Sequence, residues 1–292
     1  MRPVAFHKIA FSKMHGLGND FVVIDRRRAD LRVDAAMARA LADRNTGIGC
    51  DQLILIEAPR DPAAQAFMRI LNADGSEAEA CGNGTRCIAR LIAEETGDSR
   101  VWIETLAGLL EAELLPDLRV AVDMGPARTG WRDIPLARAM DTLAVDLAAG
   151  PLANPVCTGI GNPHATFFVA DAEAIDLAAL GPVLEHDVLF PERANIGVAT
   201  VVDPGRDRAR IRLRVWERGA GITRACGSGA CAALVGAHRR GLTGRHATVT
   251  LDGGDLDILW RPDGDEESGH VIMTGPATLA FEGSVDLALL AG

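Results

Sequence analysis

Apolar residues come in short runs along this chain, broken repeatedly by glycine, proline and acidic residues, which predicts many strands and few helices. Strands are expected over Phe21 to Asp25, Gln52 to Ile56, Phe67 to Leu71 and Val101 to Thr105, and again over Ala165 to Val169, Val198 to Val202, Arg210 to Trp216 and Ala247 to Leu251. Arg210-Ile211-Arg212-Leu213-Arg214-Val215-Trp216 alternates strictly between polar and apolar residues, the mark of a strand with one buried face. Asp34 is placed to cap a helix over Ala35 to Asp43, and Asp171 to begin another over Ala172 to Leu180. Thr85 to Glu95 and Ala230 to Arg239 are helical segments of a different kind, apolar around much of their circumference. A helix of that kind is enclosed rather than laid on a surface. The expected fold is therefore α+β, with each half a curved, mostly antiparallel sheet wrapped around one central helix.

The halves resemble one another. Gly16-Leu17-Gly18-Asn19 recurs as Gly159-Ile160-Gly161-Asn162 at an offset of 143, and Ile48-Gly49 as Ile196-Gly197 at 148. Ala80-Cys81-Gly82-Asn83-Gly84 recurs as Ala225-Cys226-Gly227-Ser228-Gly229 at 145, about half of the 292 residues. Three landmarks in one order point to a duplicated unit rather than a solenoid. Asp123-Met124-Gly125-Pro126 marks the expected junction, and its echo Met273-Thr274-Gly275-Pro276 ends the second copy. The predicted domains are thus 1–124 with 277–292, carrying Cys81, and 125–276, carrying Cys226, with the active site in the cleft between them.

Composition narrows the classes. A net charge of −10 disfavours a nucleic-acid partner. No apolar run is long enough for a membrane-spanning helix, and the first residues lack the apolar stretch of a signal peptide, so a cytoplasmic protein with reduced cysteines is expected. The six cysteines include no Cys-x-x-Cys pair, so no metal is expected. Cys50, Cys87, Cys157 and Cys231 read as packed small residues, the usual fate of free cysteine. Gly227-Ser228-Gly229-Ala230-Cys231-Ala232 fits a dinucleotide fingerprint in letters alone, because no strand leads directly into it.

Cys81 and Cys226 are different. Each lies in a Cys-Gly-x-Gly turn that opens a helix, where unpaired N–H groups and the positive end of the helix dipole favour anions. Such a site stabilises thiolate over thiol, and its N–H groups can also hold a substrate carboxylate. Two such thiols on opposite sides of a carbon, one as base and one as acid, would invert a stereocentre. His164, beside Gly161-Asn162-Pro163, reads either as a structural histidine or as part of the site.

Lys13-Met14-His15-Gly16-Leu17-Gly18-Asn19-Asp20-Phe21, the stretch from Asn72 through Cys81 to Cys87, Gly161-Asn162-Pro163-His164 and Glu217-Arg218-Gly219-Ala220-Gly221 resemble the diaminopimelate epimerase family, from about Phe11 to Gly283. That resemblance implies a cofactor-independent isomerase, with neither pyridoxal phosphate nor metal. It would interconvert LL- and meso-2,6-diaminopimelate for lysine and peptidoglycan synthesis, as a homodimer. It implies Cys81 and Cys226 as the acid–base pair, and Gly82, Asn83, Gly227 and Ser228 as the cradle for the reacting carboxylate. Asn19, Gln52, Asn72, Asn162, Asn195, Glu217 and Arg218 would line the substrate site, and His164 and Glu217 would tune the cysteines. Arg218 suits the distal carboxylate because guanidinium and carboxylate pair bidentately. Ile222 stands where relatives commonly carry glutamate, and the residues before Phe11 are extra, read as a frayed arm. The rivals are a racemase of proline or hydroxyproline, and a redox protein in which the two thiols form a reversible disulfide.

Overall fold

The computed structural model describes residues 8–27, 32–79, 81–205, 207–264 and 268–286. The chain divides into two units, Met1–Val122 with Pro276–Gly292, and Asp123–Gly275. In chain order the first contains β1 (Lys8–Gly16), β2 (Asn19–Asp25), α1 (Ala35–Ala42), β3 (Gln52–Glu57), β4 (Ala66–Asn72), β5 (Glu77–Ala78), α2 (Gly82–Thr96), β6 (Arg100–Thr105), β7 (Gly108–Leu114) and the first half of β8 (Arg119–Pro126). The second contains β9 (Ala148–Ala149), β10 (Leu152–Ala153), β11 (Val156–Gly159), β12 (Pro163–Phe168), α3 (Leu177–Glu185), β13 (Asn195–Asp203), β14 (Ala209–Glu217), β15 (Gly221–Ile222), α4 (Gly227–Arg239), β16 (His246–Leu251), β17 (Gly254–Arg261) and β18 (His270–Pro276), and β19 (Thr278–Asp286) returns to the first.

The order of strand pairing is the same in both units. In the first, β1 runs antiparallel to β2, β2 parallel to β3, β3 antiparallel to β4, β4 parallel to β6, and β6, β7 and β8 follow antiparallel. In the second, β11, β12, β13, β14, β16, β17 and β18 repeat that sequence of directions. The parallel pairs are where a crossover intervenes, and α2 and α4 are the crossovers between β4 and β6 and between β14 and β16. A sheet-dominated α+β fold with a helix at the heart of each half is what the sequence predicts.

Burial follows the pattern of side chains. Ile211, Leu213 and Val215 of β14 are buried while Arg210, Arg212 and Arg214 are not. α4 is buried along nearly its whole length from Gly227 to Ala237 and packs against β11 to β14, β16 and β17. α2 buries Asn83 through Ala89 and then Ile92 and Ala93, packs against β1, β6 and β7, and ends on Gly97 in the left-handed conformation, which glycine adopts without steric cost. Among the described residues no helix is long and apolar enough to cross a membrane.

Three expectations need correction. The second acid-capped helix starts at Leu177 with Asp176 as its cap, not at Ala172. Residues 171–176 are held otherwise: Asp171 Oδ1 accepts from the Glu173 N–H, Thr200 Oγ1 accepts from the Ala172 N–H, and Arg214 Nη1 takes the carbonyls of Ala172 and Ile175. The glycine triads 82–84 and 227–229 form the first turns of α2 and α4 rather than turns before them. Lys8 to Ala10, expected in a frayed arm, belong to β1 and pair with Ser284 to Asp286 of β19, while residues 1–7 of that arm lie outside the described residues.

Candidate active site

Strand direction gathers the predicted site residues at one end of each sheet. In the first unit Asn19 begins β2, Gln52 begins β3 in parallel with it, and Asn72 ends the antiparallel β4 opposite Gln52. Gln52 Nε2 donates to Asn72 Oδ1 at 2.9 Å, and Asn72 Nδ2 donates to Ser76 Oγ at 3.0 Å. Gln52 Oε1 is buried and accepts no hydrogen bond among the described residues. After Asn72 the chain reverses through Asp74 and Gly75, whose φ of +84° and whose closeness to the Ala35 carbonyl, 2.6 Å from any added Cβ, admit only glycine. The chain then returns to Cys81.

Cys81 is the N-cap of α2, with extended backbone angles, and its Sγ accepts from the Gly84 N–H at 3.4 Å. Cysteine is not among the residues favoured at this position, where Ser, Thr, Asp and Asn cap best, so its presence points to chemistry. The sulfur also faces Asn19 Oδ1 at 3.9 Å, and Asn83 Nδ2 donates to the same oxygen at 3.2 Å. Ala80, its neighbour in the motif, lies outside the described residues.

The second unit repeats the arrangement with different side chains. Asn162 precedes β12, Asn195 begins β13 and Glu217 ends β14, at the places that Asn19, Gln52 and Asn72 hold in the first. Cys226 holds the N-cap position of α4, without the side-chain capping bond that Cys81 makes, and is 3% exposed, whereas Cys81 is partly exposed. Its thiol is pushed well above the ordinary range, first by burial and then by the Glu217 carboxylate beside it. Thr223 Oγ1 donates to Glu217 Oε1. Ser228 Oγ lies 3.8 Å from Cys226 Sγ and accepts from Asn162 Nδ2 at 3.4 Å. Asn195 Nδ2 donates to the Pro163 carbonyl at 3.1 Å, and its oxygen accepts from the Arg218 backbone N–H at 2.9 Å. Arg218 itself is exposed, with Nη1 donating to the Glu192 carbonyl at 3.0 Å.

Glu217 is therefore beside Cys226, the cysteine of its own unit. His164 contacts Asn162, with Nε2 2.7 Å from Oδ1. Burial first, and then the Arg218 charge, lower its pKa to about 3, so the ring is neutral at physiological pH. Cys50, Cys87 and Cys157 are buried thiols raised to about 11, 12 and 12, chiefly by burial. Among the described residues no group of three or more His, Cys, Asp or Glu is disposed to hold a metal ion.

Sequence reasoning missed the groups behind these side chains. Asp51 accepts from Asn19 Nδ2 at 3.0 Å, Arg86 donates to Asn83 Oδ1 at 3.0 Å, and Thr223 holds Glu217. Asp51 adjoins Gln52 and Arg86 lies within the cysteine motif, but their partners could not be read without the fold.

A sequence profile of the diaminopimelate epimerases matches residues 11–130 and 156–280. The chain is 61% identical over 282 residues to the diaminopimelate epimerase of Rhodospirillum centenum, covering 97% of this chain and 94% of the relative. It is 59% identical to that of Acidiphilium cryptum, covering 96% and 98%. The chain belongs to the diaminopimelate epimerase family. Solved structures share the fold at lower identity. A probable proline racemase from Agrobacterium radiobacter superposes with a TM-score of 0.68 at 18% identity, covering 96% of this chain and 93% of that one. A hydroxyproline epimerase from Agrobacterium vitis gives 0.65 at 16%, with the same coverage. At those identities the likeness is one of fold.

Proposed function

We propose that this chain interconverts LL- and meso-2,6-diaminopimelate by moving one proton between two cysteines, Cys81 and Cys226, supplying meso-diaminopimelate for lysine and peptidoglycan synthesis. The observation that carries the reading is the matched pair of cysteine N-caps, one per unit, each followed by Gly-x-Gly in the first turn of a buried helix. The mechanism requires the two thiols to address opposite faces of one α-carbon. One, as thiolate, removes the proton, and the other, as thiol, returns one from the far side.

The carboxylate on the reacting carbon takes up charge as the proton leaves. Backbone N–H groups at the starts of α2 and α4, from Gly82, Asn83, Gly227 and Ser228, are the donors assigned to it. Such preorganised donors contribute most where charge develops in the transition state. Asn19, Gln52, Asn72, Asn162, Asn195 and Glu217 are assigned to the amino groups and flanks of the substrate. The unfilled acceptor Gln52 Oε1 supports this, since an ammonium group would satisfy it. Arg218 is assigned to the distal carboxylate. The reading needs neither pyridoxal phosphate nor metal. It includes cytoplasmic residence and a homodimer, the latter open to sedimentation analysis.

The test is LL-diaminopimelate in deuterated water with no added cofactor. The meso product should carry one deuterium at the inverted centre. Cys81→Ser and Cys226→Ser should each abolish epimerisation, while each retains proton exchange with only one stereoisomer, and the preferred isomer should differ between the two. Epimerisation at the native rate by either variant would refute the paired mechanism. Turnover of proline with none of diaminopimelate would replace the substrate assignment.

A further inference from the structure

Each asparagine beside Cys81 touches a charged group that can act in one sense only. Asp51 as a carboxylate accepts and never donates, so the nitrogen of the Asn19 amide must face it. That bond is Asn19 Nδ2 to Asp51 Oδ2, 3.0 Å. Arg86 donates and never accepts, so the oxygen of Asn83 must face its guanidinium, and Nη2 meets Asn83 Oδ1 at 3.0 Å. Both amide orientations follow from these anchors. Asn83 Nδ2 is then left to donate to Asn19 Oδ1, and Asn19 Oδ1 is left facing the Cys81 sulfur.

The anchors are themselves held. Asp51 Oδ2 also accepts from the Asp20 backbone N–H at 3.1 Å, and Oδ1 accepts from Arg44 Nη2 at 2.7 Å. Arg44 pairs in turn with Asp20, and Asp20 with Lys13, whose ammonium also donates to the Gly49 carbonyl. Arg86 is fully buried and its Nε donates to the Pro276 carbonyl at 3.1 Å. An alanine in place of Gly16 would put its Cβ 2.7 Å from Arg86 Nη2, so that space is kept for the guanidinium.

We propose that Asp51 is a positioning residue for Cys81: its carboxylate holds the Asn19 amide with the oxygen turned toward the thiol. A thiol facing an acceptor oxygen is stabilised in its protonated form, whereas one facing an amide N–H is stabilised as thiolate. In the second unit the equivalent amide is turned the other way. Asn162 Oδ1 faces His164, and its nitrogen donates to Ser228 next to Cys226. The Asn162 amide thus approaches Cys226 through the Ser228 hydroxyl, 3.8 Å from the sulfur, whereas the Asn19 oxygen faces Cys81 itself.

The inference takes the importance of Cys81 from the proposed function, but its test does not depend on turnover. In a Cys226→Ser, Asn83→Ala background, which removes the second amide holding the Asn19 oxygen in place, the pH dependence of iodoacetamide alkylation is followed at Cys81 by peptide mass mapping. Asp51→Ala frees the Asn19 amide to rotate and offer N–H to the sulfur. The alkylation midpoint should fall by about half to one pH unit, the size expected for one exchanged hydrogen bond. Asp51→Asn removes the same charge and keeps an acceptor oxygen, so its midpoint should stay near the parent value. Equal falls in both variants would show a charge effect and overturn the orientation argument, as would no fall in Asp51→Ala. If Asp51→Ala does not fold, side-chain amide NMR of the parent protein decides. The Asn19 NH2 pair should show the downfield proton and slowed exchange of a hydrogen bond to carboxylate, and a solvent-like pair would overturn the proposal.

Discussion

Gly229 offers a sharp test of the second thiol, because the space it leaves empty belongs to the sulfur. A Cβ at this position would lie 3.1 Å from Cys226 Sγ, 3.2 Å from Val215 Cγ2 and 3.3 Å from Cys226 Cβ. Comfortable contacts are about 3.5–4.0 Å, so the thiol of Gly229→Ala must move by several tenths of an ångström. Val215 is buried and cannot give freely. Against this, alanine inside a helix is worth about 1 kcal/mol over glycine, and crowding a packed site costs about 1–3 kcal/mol. The net change in stability is then between about zero and 2 kcal/mol, and the protein should fold. Activity should suffer more. A misplacement of about 1 Å costs on the order of a hundredfold, so half that distance gives roughly a tenfold loss in kcat.

Gly84 is the control built into the duplication. An alanine there would meet Ile54 Cδ1 at 2.8 Å but leave Cys81 Sγ at 3.6 Å, an ordinary contact. Gly84→Ala should therefore lose stability by crowding a buried isoleucine while its thiol stays in place. The assay is conversion of LL-diaminopimelate by chiral chromatography, beside thermal unfolding of each variant. Gly229→Ala should be the less active and Gly84→Ala the less stable. Native kcat in folded Gly229→Ala, or equal kcat losses in the two, would refute the reasoning.

Glu217→Gln removes a negative charge that raises the Cys226 thiol pKa, so the thiolate should form at lower pH; alkylation of Cys226 in a Cys81→Ser background should shift to a lower midpoint, and an unchanged or higher one would contradict the assignment. Arg218→Ala should raise KM by about 10- to 150-fold, the value of one charge-assisted hydrogen bond. Arg218→Lys should recover part of that loss because lysine lacks the planar fork. Exposure of Arg218 sets this figure below the cost of breaking a buried ion pair, and an unchanged KM would remove it from the substrate site.

Much of this was legible in the chain. The alternation over Arg210 to Trp216 becomes β14 with its three apolar side chains inside, because residues of that kind have one stable way to face a core. The duplicated turns become equivalent helix starts. β19 was not predicted: Leu279, Phe281 and Val285 alternate with polar or small residues, but the run is broken by Gly283 and its middle residues Ala280 to Glu282 are exposed. Its definition comes from pairing with β1, from Lys8 opposite Asp286 to His15 opposite Thr278, about 270 residues away. The helix predicted from Asp171 failed for a related reason, since Arg214 and Thr200 compete for the backbone groups that a helix would use. Asp51 was hidden because its importance lies in the sense of one hydrogen bond, which no residue pattern encodes.

A cysteine that serves as base in one direction and acid in the other must not be fixed in either state. A helix N-terminus alone would favour thiolate, and burial alone would favour thiol. Each of these thiols instead meets one influence of each kind. Cys81 Sγ accepts from the Gly84 N–H and faces the Asn19 oxygen. Cys226 sits at the start of α4, which favours its anion, and beside Glu217 in a buried site, which opposes it. The opposing influence differs between units, a neutral amide in one and a carboxylate in the other, as does burial. Under the proposed mechanism, duplication would thus supply two acid–base groups of one chemistry. Divergence at Asn72 and Glu217, which hold equivalent places at the ends of β4 and β14, makes their surroundings unequal. In the proposed mechanism that inequality biases which thiol holds the proton before substrate arrives, while the opposed influences at each sulfur keep the other assignment within reach.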